Sequence, residues 1–112
     1  MRSDRERLLD MLEAIEHIEK HSDADRSAFE ADELIQTWMV HHIQIIGEAA
    51  AAISAEFRVL HPEIPWRSIA SMRNAIVHAY FRVDLDEVWS VISNDLPALK
   101  QSLAVLAEDC TD

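Results

Sequence analysis

Residues 29–57, FEADELIQTWMVHHIQIIGEAAAAISAEF, decide the fold. Phe29, Leu34, Ile35, Trp38, Met39, Ile43 and Ile46 recur at steps of three and four. That spacing puts them on one stripe of an α-helix and not on the alternate faces of a strand. The stripe continues through Ala49, Ala50, Ile53 and Phe57. Uninterrupted, such a helix would be roughly 40 Å long at ~1.5 Å per residue, more than a chain of 112 residues can bury by itself. Gly47 is the only glycine in the sequence and stands mid-stretch beside four alanines, where it costs up to ~1 kcal/mol relative to alanine. Small residues here imply a close backbone approach, either to the preceding helix or to a second subunit.

On the N-terminal side, Ser3 followed by Glu6 reads as a capping box. Leu8, Leu9, Met11, Leu12, Ile15 and Ile18 then carry a first helix to about Lys20. The polar run HSDADRS (21–27) connects the two helices. On the C-terminal side, Pro62 and Pro65 in LHPEIPW end the helical pattern, since proline lacks the amide donor and biases the residue before it away from helix. A third helix is expected from Trp66 to Ala79. Asp84 and Glu87 cap a fourth, whose stripe of Leu85, Val88, Ile92, Leu96, Leu99, Leu103 and Leu106 contains Pro97. A kink or break is therefore expected around Asn94 to Leu96. With one glycine and three prolines, the turn signals of an all-β chain are missing. The reading is all-α, with one domain over residues 1–112.

The formal net charge of −11 argues against a polyanion ligand in general. The average hides a local reversal, because Arg58, Arg67, Arg73 and Arg82 lie in one window whose only carboxylate is Glu63. No apolar run reaches the ~18 residues of a bilayer span, and the charged start MRSDRERLLD does not resemble a signal peptide. The one cysteine, Cys110, has no partner for a disulfide or a thiolate metal site. A cytoplasmic protein without a membrane segment is expected.

The chemistry-bearing stretch is SIASMRNAIVHAYFRVD (68–84), which gathers Arg73, Asn74, His78, Tyr80 and Arg82 within ten residues. Arginine offers a permanent charge and a planar donor fork for phosphate, and histidine exchanges a proton near neutral pH. On a straight helix at about 100° per residue, Arg73 and Tyr80 lie about 20° apart, but Arg73 and His78 about 140° apart. Either the helix frays near His78, or the arginine wraps round, or two chains together complete the site. The last is favoured. His41 and His42 point about 100° apart and read as structural. His17 and His21 have the i, i+4 spacing of a zinc pair but lack a third ligand, so no metal site is expected.

The order RNAIVHAY resembles the arginine, polar residue, three spacers, histidine, spacer, tyrosine signature of HepT toxins in the HEPN superfamily. RLLDMLEAIEHIEK, IIGEAAAAIS, HPEIPWRSIASMRNAIVHAYFRVDLDEVW and DLPAL extend the likeness over nearly the whole chain. Ser71 departs from it, standing where many relatives have glycine. The resemblance implies an antiparallel up-and-down bundle of four to five helices that dimerises so that two motifs line one cleft. It also implies a metal-independent, cofactor-free endoribonuclease that acts as the toxin of a toxin-antitoxin pair. Carried over, Arg73 would hold the scissile phosphate and His78 would transfer protons. By the residues' own chemistry, Asn74 would orient one or the other, and Arg67 and Arg82 are either solvated or contact RNA phosphate. The implied partner is a minimal nucleotidyltransferase antitoxin that places adenosine monophosphate on Tyr80, the only tyrosine present. The competing reading is a catalytically silent helical module that binds nucleotide or a partner protein.

Overall fold

Ser3 opens the first helix as its spacing to Glu6 requires. The Ser3 hydroxyl accepts the Glu6 amide at 3.1 Å, and the Glu6 carboxylate accepts the Ser3 amide at 3.0 Å. This closes a reciprocal box over donors that a helix start leaves unpaired. The computed structural model describes residues 2–22, 25–78 and 82–110. Helix α1 spans Asp4–Glu19, α2 Arg26–Ala31, α3 Glu33–Ala52 and α4 Ala55–Leu60.

The single long helix expected over 29–57 is thus three helices. Asp32 takes an extended backbone (φ −123°, ψ 103°) and its carboxylate accepts the amides of Leu34 and Ile35. At the far end Ile53 leaves helical geometry, and the Ser54 hydroxyl accepts the Phe57 amide to start α4. Short polar side chains offer the backbone these local partners in place of helical carbonyls. The apolar stripe runs straight across both breaks, so periodicity alone could not show them. With α3 about 30 Å long, helix length no longer argues for a dimer.

Helices α1 and α3 run antiparallel. Asp4 accepts the Ser54 amide and hydroxyl at 2.8 and 2.6 Å at one end, and the Trp38 indole donates to the His17 carbonyl at 2.8 Å near the other. Leu8, Met11 and Ile15 from α1 meet Met39, Ile43 and Ile46 from α3, all fully buried. Gly47 does make a close approach, but to neither expected partner. A β-carbon there would stand 3.3 Å from the carbonyl oxygens of both Ile69 and Ala70, so the small residue admits the backbone of α5 (Trp66–Ala70) within one chain.

The expected third helix is also shorter and interrupted. Ser71 donates both its amide and its hydroxyl to the Arg67 carbonyl, at 3.0 and 2.9 Å. A new helix, α6, covers Met72–Ile76 only. The Ile76 carbonyl accepts the Asp84 amide at 2.7 Å, closing a ribbon in which β1 (Val77–His78) pairs antiparallel with β2 (Arg82–Val83). β-branched Ile76 and Val77 suit this change of backbone. The rest is helical: α7 (Leu85–Ser90), a π-helical segment (Val91–Asp95) and α8 (Leu96–Asp109). The break expected near Pro97 is this π segment, where the Leu96 amide reaches back to the Val91 carbonyl. Pro97 then sits in the first turn of α8, where a missing amide costs little. Val88 and Leu103 complete the core. Among the described residues the fold is all-α apart from the two-residue strand pair. Among the described residues no helix is long and apolar enough to cross a membrane.

Candidate active site

Arg73 and Asn74 are the second and third residues of α6, His78 ends β1 and Arg82 begins β2. His78 and Arg82 are direct register partners, as are Val77 and Val83. Tyr80 lies outside the described residues, in the connection 79–81 between the two strands. Because the chain leaves the helix after Ile76, the separation of Arg73 and His78 on a straight helix does not apply. One chain brings α6 and both strands to one place, so this motive for a shared two-chain site falls away.

Arg73 is half-buried, Arg67 is exposed on α5, and Asn74 is exposed with its amide bonded to the Ser71 carbonyl at 2.9 Å. Among the described residues neither Arg67 nor Arg73 pairs with a carboxylate. Two arginines elsewhere are taken. Arg2 binds Asp10, and Arg26 bridges Glu30 and Asp86. Arg58, counted above as part of the phosphate-suited window, is engaged as well. Its guanidinium donates to the carbonyls of Ala50 and Ala51 at 3.1 and 2.5 Å, in the last turn of α3. Of the four arginines in that window, Arg67 and Arg73 therefore remain open to a phosphate among the described side chains.

The histidines outside the motif sort by environment. His42 is buried, and its Nδ1 lies 2.9 Å from the Trp38 carbonyl; that oxygen only accepts, so Nδ1 carries the proton. Burial holds the His42 pKa below its usual value, with His41, His17 and His21 adding repulsion. His17 lies 5.0 Å from His42 between ring centroids, and both His17 and His21 pack edge-on against Trp38. This is a packing cluster, as the sequence reading held for His42. His41 differs. It is exposed and, with Thr37, Gln44 and Val83, lines a groove of about 500 Å³ between α3 and the second strand. Sequence reasoning missed this association; the signal was Thr37, His41 and Gln44 at helical steps on the polar face of α3.

This arrangement supplies permanent cations and a proton-exchanging residue on a short irregular segment packed against the long helix α3. A family profile for ribonucleases described as HepT-like matches residues 11–106. The chain belongs to the HepT-like ribonuclease family. It is 42% identical over 100 residues to "Probable ribonuclease HepT" of Thermococcus cleftensis, covering 88% of this chain and 91% of that one. It is also 32% identical over 100 residues to a Methanocaldococcus jannaschii protein carrying the name of an RNase, covering 88% and 92%. No solved structure matches this HepT-like chain.

Proposed function

We propose that the protein is the toxin of a toxin-antitoxin pair and acts as a metal-independent endoribonuclease whose centre is Arg73, His78 and the residues around them. The observation that carries this reading is the end of α6 at Ile76, with His78 paired in register to Arg82 and Arg73 free of any carboxylate among the described residues. His78 takes the proton from an RNA 2′-hydroxyl as that oxygen bonds to the adjacent phosphorus. The bond from phosphorus to the 5′-oxygen breaks, the departing oxygen takes a proton from water, and His78 returns its own proton to solvent. The products are a cyclic phosphate and a 5′-hydroxyl. Arg73 neutralises charge growing on the phosphate oxygens, a task that rests on positioning and fixed charge more than on covalent participation. Asn74 orients these groups, and Arg67 and Arg82 hold flanking phosphates.

The family resemblance supports two further parts. The protein works as a two-fold dimer, and a nucleotidyltransferase antitoxin silences it by transferring adenosine monophosphate to Tyr80. The added anion would oppose RNA at Arg73 by bulk and by like charge. Incubation of purified protein with RNA in chelator is the test. Cleavage with cyclic phosphate ends supports the enzyme, whereas nucleotide binding without cleavage supports the silent module. Sedimentation addresses the dimer, and mass spectrometry of Tyr80 after co-expression with the transferase addresses the modification.

A further inference from the structure

A cleft of about 670 Å³ lies on a different set of residues from the proposed cleavage site, between α5–α6 on one wall and α7, the π segment and α8 on the other. Its floor is apolar, formed by Ile64, Ile69, Met72, Val91 and Leu99, and its rim is polar. The cleft is long. Its second wall runs from Glu87 to Ser102, roughly 22 Å at the helical rise, which suits a length of polypeptide better than a compact small molecule.

The charge on the rim selects among polypeptides. Glu87 and Asp95 stand on the same wall eight residues apart, with Val91 midway at the floor, so the three follow one helical face. Neither carboxylate has an ion-pair partner among the described residues. No lysine or arginine is among the described lining residues. A phosphate-bearing ligand is thereby disfavoured, and so is a second copy of this acidic chain. An amphipathic helix with an apolar stripe between two basic residues about two turns apart satisfies floor and rim together, the arrangement of helix-in-groove recognition.

We propose that this cleft is the docking site for a basic amphipathic helix of a partner protein. Met72 of the floor is followed at once by Arg73 in a helix of five residues. An occupant therefore packs directly against the element that carries the proposed phosphate-binding arginine. The docking itself does not depend on RNA cleavage, so it can stand or fail separately from the ribonuclease reading.

The test uses the full chain and three fluorescent helical peptides: one with Leu at i, i+3, i+4 and i+7 flanked by Lys, one with Glu replacing each Lys, and one with the order scrambled. Saturable anisotropy change with the Lys peptide, at least tenfold weaker with the Glu and scrambled peptides, is expected. Glu87→Gln combined with Asp95→Lys should weaken the Lys peptide at least tenfold, and Ala98→Trp, which fills an exposed edge of the cleft, should do likewise. Glu56→Lys on α4 should leave binding unchanged. Circular dichroism confirms that each variant folds. No saturable binding, or equal binding to the double variant and to Glu56→Lys, overturns the proposal. So does Ala98→Trp changing the sedimenting mass without changing peptide binding, which would assign the cleft to contact between copies. Displacement of the peptide by a short RNA in proportion to RNA binding would assign it to substrate and overturn it equally.

Discussion

The pair α1–α3 and the segment from Trp66 to Val83 obey opposite rules. The first consists of helices of 16 and 20 residues, capped by side chains at their starts and pressed together along their length. The second fits two helices of five residues and two strands of two residues into less chain than α3 uses. Long helices can supply stability by burying a stripe, but they present side chains only at fixed bearings. A segment that changes backbone type every few residues can bring arginine, asparagine and histidine together at bearings no single helix allows. It depends in turn on α3 beneath it, and Gly47 is where the two meet. On the proposed reading, stability and chemistry are thus divided between regions, in keeping with the way binding groups are generally carried on irregular segments over a regular frame.

The division can be broken most severely at the site. Arg73→Ala and His78→Ala should each lower RNA cleavage by about 10²–10⁴-fold, the range for losing a charge stabiliser or a general acid-base group. The melting temperature should scarcely move, as differential scanning would show; a large drop in melting temperature would place the residue in the frame instead. The converse change is Ile43→Ala in the buried face of α3. It should cost about 2–5 kcal/mol, read as a lower urea midpoint, while the folded fraction keeps its specific activity.

The junction sharpens the comparison, because it belongs to both regions. Gly47→Val should destabilise by about 1–3 kcal/mol, since the added carbons meet backbone oxygens of α5 that have no side chain to rotate away. Unlike Ile43→Ala, it should also lower cleavage by the folded fraction, because α5 leads directly into α6. An effect on stability alone would mean that α5 and α6 move independently. The smallest expected effect concerns His42. Its pKa is held down by burial, so the native state prefers the neutral ring and the unfolded chain binds the proton more readily. This contribution is intact above an unfolded pKa of about 6.5 and declines as pH falls below it. Urea midpoints at pH 7.5 and 5.0 should show the decline, and His42→Gln should reduce it; an unchanged slope would assign it to other groups.

Sequence legibility divides along the same line. The Ser3–Glu6 box, the α1 stripe and the break near Pro97 could be read because each leaves a local mark: a cap, a period, a missing amide. The limits of α3 could not, because Asp32 and Ser54 act through side-chain acceptors while the apolar stripe continues past them. The motif residues were identifiable by type and order. Their arrangement was not, because the departure from helix after Ile76 depends on a bond from the Asp84 amide, eight residues along the chain. Arg58 was misassigned for a related reason: its acceptors are carbonyls at the end of another helix, which composition cannot reveal.

The π segment between α7 and α8 is a store of chain length. Its wide turn accommodates one residue more than an α-helix would over the same rise, so the helix beyond it keeps the bearing it would have without the surplus. Deleting a single residue between Val91 and Asp95 should let the backbone relax to regular helix and leave Leu99, Leu103 and Leu106 on the core. The same deletion inside α8 has no surplus to draw on and would turn everything beyond it by about 100°, a frameshift in space. The slack in this helical run is therefore local: that turn can give up a residue, and the regular helix that follows it cannot.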